Sequence, residues 1–219
     1  MFYLDLFKGQ LKYYQTSISD RVLPAFSQIE SEAEDFERRE TERLQSIVNP
    51  EMDHSRFAEL IQDRAIDYYI SLRDVRQGIV NLLTAGLYHL FEQQMTQLVK
   101  TFAHLPASTQ KLFPRFIEIM KVHNCSAESL PNWDLLCNEL RLVANAVKHG
   151  PGPSADELAV RKPDYFRPEH MKSDSTFDAR GHHAIKPIAG EGLFLSEDDF
   201  TRYAAALIEF WDSFSCWKD

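Results

Sequence analysis

The feature that most constrains this chain is an unusually long helical periodicity. From Asp53 or Ser55 onward, Phe57, Leu60, Ile61, Tyr68, Leu72, Val75, Ile79, Leu82, Leu83, Leu87, Leu90, Leu98 and Phe102 recur largely at the intervals that line one face of an α-helix. The stretch reads as one long helix or as two that meet near Gly78, and Leu105-Pro106 closes it. An amphipathic helix precedes it from about Pro24 to Ile47, carrying Phe26, Ile29, Ala33, Phe36, Leu44 and Ile47, and Asn49-Pro50 stops it.

Further helices follow. Ser108 to Val122 reads as a shorter one with Pro114 near its first turn. Pro131 opens another, with Trp133, Leu136, Leu140, Val143 and Val147 as its buried stripe and Gly150-Pro151 as its stop. Between Gly150 and Gly192 lie five of the ten prolines and five of the eight glycines, so this stretch reads as a long irregular loop, with a short hairpin around His183 to Leu195. Ser196 and Asp199 have capping-box spacing for a last helix built on Phe200, Tyr203, Leu207, Trp211 and Phe214. Four to six helices and no convincing strand longer than Gly192-Leu193-Phe194-Leu195 give the expected fold: an all-α antiparallel helical bundle with a long irregular loop before the last helix. The expected organisation is a single domain over residues 1–219, in which residues 1–50 form an N-terminal helical extension and 150–195 an irregular loop or hairpin insertion.

With 219 residues, the chain is long enough to bury an ordinary core without staples. Cys125, Cys137 and Cys216 are scattered and in no CxxC pair, which points to reduced, mostly buried thiols. Neither a signal peptide nor a membrane span is legible, so a cytoplasmic protein is expected. The net charge of −9 argues against non-specific coating of nucleic acid, which needs many Lys and Arg contacts. It leaves room for a local phosphate site.

The segment that could carry chemistry is Glu139-Leu140-Arg141-Leu142-Val143-Ala144-Asn145-Ala146-Val147-Lys148-His149-Gly150. Around an ideal helix, Lys148, Arg141, Asn145 and His149 fall within about 100° of one another, beside the buried stripe. Leu135, Leu142 and Ala146 form a second apolar side beyond them, which suggests that this helix also touches another helix or a second copy of the protein. The seam's residue types suit phosphodiester chemistry without a metal. An imidazole can take a proton from a ribose 2′-hydroxyl or give one to the leaving oxygen. Arginine and lysine can hold the phosphate, and asparagine can orient it. The plainer reading is a solvated helix edge, with His149 satisfying helix carbonyls.

The helix-borne Arg141, Asn145 and His149 of a small all-α protein resemble the motif of the HEPN superfamily (higher eukaryotes and prokaryotes nucleotide-binding domains). Many of its members are metal-independent endoribonucleases of toxin and anti-phage systems. Asn145 and His149 match the family's asparagine-to-histidine interval; Arg141 lies further from His149 than the family's arginine, and Ala144 stands just before Asn145. About 12 Å of axial rise separates Arg141 from His149, and helix side chains lean towards the N-terminus, so one helix is not expected to place both on one phosphate. The resemblance implies a site composed across a homodimer, with His149, Arg141 and Asn145 catalytic and Lys148 binding the substrate. RNA is then a partner, as is an antitoxin or other defence-system protein, and no cofactor is required. The alternative is a non-catalytic HEPN-like helical module that binds a nucleotide or a protein partner.

His89 and Glu92 are polar residues in the most apolar helix, where they either form a structural hydrogen bond or add an acidic group to the site. His182-His183, with His170, Asp174 and Asp178, lacks the helical spacing of a zinc site, so no metal is expected. The aromatic residues of the last helix are expected in the core, and the acidic run from Glu30 to Glu42 on a solvated face or docking surface.

Overall fold

The computed structural model describes residues 2–45, 54–103, 112–122, 125–177, 189–190 and 192–214. Among these residues all regular structure is helical, and no strand occurs. The spine is α3 (His54–Ala103), one continuous helix of 50 residues, about 75 Å long. Gly78 lies buried within it without breaking it.

The N-terminal part of α3 pairs with α2 (Ile29–Gln45) in an antiparallel hairpin. Its register is fixed by Phe36, stacked on Tyr68 with ring centroids 4.7 Å apart, and by Arg64 facing Glu40 at 3.5 Å. Ile29 and Ala33 are buried on the inner face of α2, while most of its charged residues are exposed. The 3-10 turn Leu23–Phe26 begins the stretch read from sequence as the start of this helix.

The C-terminal part of α3 packs with α4 (Leu112–Val122), α5 (Arg141–His149) and α7 (Glu197–Ser213). An additional helix, α1 (Phe2–Ser17), lies in the stretch expected as an extension and contributes Phe7 and Leu11 to the core. Buried Gln94 of α3 ties this junction together: its amide donates to the Phe7 carbonyl at 3.1 Å, and its oxygen accepts from Trp211 Nε1 at 2.7 Å. Pro114 falls within the first turn of α4, where its missing N–H costs no helical bond. The capping box forms as the sequence indicates, with Ser196 Oγ accepting from the Asp199 N–H and Asp199 Oδ2 accepting from the Ser196 N–H, both at 3.0 Å.

The stretch after Gly150 is more ordered than its prolines and glycines suggest. It contains α6 (Pro153–Arg161) and the 3-10 turns Pro163–Phe166 and Glu169–Met171. Pro153 occupies the first helical position of α6, where it starts a helix instead of preventing one. The expected hairpin falls largely on residues outside the described ones; 189–190 and 192–195 return to α3 without forming a strand. Fully buried Asn81 holds this return, donating to the carbonyls of Ala189 and Leu193 at 2.8 Å each. No helix among the described residues is long and apolar enough to cross a membrane.

Candidate functional site

The segment singled out by its polar seam begins with a π-helical turn, Leu135–Leu140, which runs directly into α5. Such a turn adds residues to each revolution and rotates what lies on either side of it relative to an ideal helix. Leu136, Leu140, Val143 and Val147 remain in the core. Gly150 ends α5 with φ +69°, a conformation that glycine adopts without strain, and its N–H bonds the Ala146 carbonyl at 2.9 Å.

Two elements flank α5. α6 packs beside it, with Ala155 and Leu158 in the same core as Leu142 and Ala146, which are 1% and 3% exposed. The second apolar side of α5 is therefore buried within one chain. On the other flank is α3, which brings Tyr88, His89 and Glu92 alongside the seam. Tyr88 is buried and lies within electrostatic reach of Arg141, Cys137 and Glu92. Glu92 is half-buried, and His89, Tyr88 and Lys148 all act on it. Burial pushes its carboxyl above the usual range, and those neighbours offset only part of the shift. Burial likewise raises the Cys137 thiol, so this cysteine is not a ready nucleophile.

Arg141 and Glu92 thus lie within reach of Tyr88, and His89 and Lys148 within reach of Glu92. Lys148 and His149 are exposed at the end of α5, and Asn145 is half-buried with no side-chain hydrogen bond among the described residues. His89 is exposed, and the Gln93 amide donates to its Nε2 at 2.9 Å, which leaves the proton of a neutral ring on Nδ1. Arg141 and His149 are not brought together. Arg141 Nε donates to the Cys137 carbonyl at 3.1 Å, turning the guanidinium towards the preceding π turn and away from His149. No protein-family model, curated protein or solved structure matches the chain.

A second polar cluster, absent from the sequence-based candidates, lies around Glu139, which is only 8% exposed. Its Oε1 accepts from Tyr203 Oη at 2.7 Å and from Arg202 Nη2 at 2.9 Å, while Lys162 approaches Oε2 at 3.5 Å. Tyr165 Oη accepts from Arg202 at 2.6 Å and donates to Asp199 Oδ1 at 2.9 Å. The network joins the π turn, the Pro163–Phe166 turn and α7. Every fully buried side-chain polar atom among the described residues has a hydrogen-bond partner, and this cluster is a structural latch.

A signal for it exists in the sequence: Glu139 falls in the second apolar side of the ideal wheel, next to Leu142 and Ala146, where a carboxylate needs an answering cation. Among the described residues no group of three or more His, Cys, Asp or Glu could hold a metal ion. Asp178, His182 and His183 of the loop group lie outside the described residues.

Proposed function

We propose that the chain is a metal-independent endoribonuclease of the toxin or anti-phage type, acting in the cytoplasm, with its site at the end of α5 and the adjoining face of α3. The observation that carries this reading is the gathering of His89, Glu92 and Lys148 beside the helix end that bears His149. The resemblance of the Asn145 and His149 spacing to the HEPN motif supports it. In this scheme His149 removes the proton from a ribose 2′-hydroxyl, whose oxygen attacks the adjacent phosphorus. The bond to the 5′-oxygen breaks, that oxygen takes up a proton from solvent, to which His149 returns the one it removed, and the product is a 2′,3′-cyclic phosphate. Lys148 holds the phosphate as a point charge, and the Asn145 amide orients it. His89 supplies a second imidazole, with its ring nitrogen fixed by Gln93. Arg141 reaches the phosphate from a second copy, because in its own chain it is turned away from His149.

The bond from Arg141 to Cys137 favours a second reading, a non-catalytic helical module that binds a nucleotide or a protein partner such as an antitoxin. The two separate cleanly. For the nuclease, His149→Ala abolishes RNA cleavage while far-UV circular dichroism stays unchanged, and EDTA leaves the wild-type rate intact. Cleavage that survives in His149→Ala rules the assignment out.

A further inference from the structure

A cavity of about 530 Å³ opens where the connector before α2, the middle of α3 and the turn around His170 meet. It is lined by the rings of Phe26, Tyr69 and Phe194 and by the polar groups of Arg73, Asp74 and His170. Small-ligand sites commonly measure about 300–1,000 Å³ and combine apolar walls with a few convergent polar groups. Asp74 and Tyr88 are separated by about 21 Å of axial rise along α3, so this cavity is distinct from the α3/α5 seam.

The polar groups divide into committed and available ones. Arg76 is paired with Glu197, and the Gln77 amide is spent on Asn81 and the Leu195 carbonyl. Arg73 is exposed, its guanidinium lying 5.6 Å from the centre of the Tyr69 ring, and among the described residues no carboxylate pairs with it. Asp74 is half-buried, and the side chains of neither Asp74 nor His170 make a hydrogen bond among the described residues. Burial raises the Asp74 carboxyl, and the adjacent Arg73 offsets part of this.

We infer that this cavity binds a nucleoside monophosphate unit, with the base against the aromatic walls, Arg73 and His170 on the phosphate, and Asp74 accepting from a base amine or ribose hydroxyls. Aromatic faces take planar bases with little sequence preference, and a guanidinium matches phosphate geometry. Charge selects the class. Glu30 joins Asp74 in the lining, so the Arg73 guanidinium beside Tyr69 and the His170 imidazole share the cavity with two carboxylates. With only two such donors and two carboxylates beside them, a polyphosphate is disfavoured there; one phosphate takes both donors, and the carboxylates are left for hydroxyls or amines. The same unit is available as a free mononucleotide or as the 5′-end of an RNA.

Calorimetric titration of the full chain with AMP, GMP, CMP and UMP tests the assignment. At least one is expected to bind saturably, with adenosine and inorganic phosphate each about tenfold weaker or worse. Arg73→Ala and Asp74→Asn each lower that affinity about tenfold, and Ile70→Trp, which fills the mouth from an exposed position, removes it. Thermal melts monitor folding, and His149→Ala leaves binding unchanged whether or not the chain is a nuclease. Competition by a 5′-phosphorylated RNA pentamer assigns the site to RNA ends; AMP binding without competition assigns it to the free nucleotide. Absence of binding by all four mononucleotides up to about 10 mM overturns the inference, as does undiminished affinity in folded Arg73→Ala.

Discussion

Glu139 brings a negative charge into a helix junction where Arg202, Lys162 and Tyr203 answer it. Its replacement by alanine leaves two cations and a phenol without their acceptor. Arg202 and Lys162 are 38% and 40% exposed, so water screens part of the loss. The expected destabilisation is about 2–3 kcal/mol, below that for breaking a fully buried pair, read from the urea midpoint; Glu139→Gln, which keeps an acceptor for Tyr203, loses less. Asp199 and Glu92 titrate in opposite senses. Burial raises Asp199, but the Ser196 cap, Tyr165 and Arg202 outweigh it, so its folded pKa is depressed. Its contribution to stability is present above the unfolded pKa of about 4 and is lost as pH falls through the folded value. Asp199→Asn should therefore flatten the acid limb of a stability-against-pH profile. Glu92, with its folded pKa raised by burial, binds its proton more tightly in the folded state, so stability falls as pH rises from the unfolded value through the folded one. Glu92→Gln should remove that decline, and a slope unchanged in the variant overturns the assigned burial.

Element boundaries expose what local pattern conveys. The long period of α3, the stripe of α5 and the capping box of α7 were legible because each depends on residues only a few positions apart. The helix α6 was obscured because Gly150, Pro151, Gly152 and Pro153 read as loop, although proline is suited to a first helical position. The π turn was not legible, since the wheel assumes a constant rotation per residue. Two contacts between elements make sharp tests. Tyr14 Oη donates to the Leu83 carbonyl at 3.0 Å, passing over Gly86, where an added Cβ would lie 2.3 Å from that oxygen. Gly86→Ala should cost about 1–3 kcal/mol through overpacking and the lost hydrogen bond. Adding Tyr14→Phe, which removes the clashing oxygen, should recover part of that loss in a double-mutant cycle. Asn81→Ala leaves the Ala189 and Leu193 carbonyls without its amide, and hydrogen exchange is expected to accelerate in the Leu193 to Leu195 segment before the global unfolding rate changes.

At the scale of the whole molecule, the bundle followed from amphipathic helices that must cover one another, but which helix covers which was not contained in any local window. Asn81 meets Leu193 and Gln94 meets Trp211 across more than a hundred residues each. The candidate site met a more local limit. The sequence placed Arg141 and His149 on one seam, but the guanidinium turns back to the Cys137 carbonyl four residues earlier, in a π turn that a wheel of constant rotation does not show. Under the proposed function, one chain then supplies His149 to a phosphate whose Arg141 comes from another. This has a consequence that single-chain models do not share. Arg141→Ala and His149→Ala are each inactive alone, yet a mixed dimer holds one intact composite site. After unfolding and refolding together at equal amounts, half of the dimers are mixed, and RNA cleavage should return to about a quarter of the wild-type rate. Should Arg141 and His149 act on the phosphate from the same chain, every site in the mixture lacks one group and no activity returns.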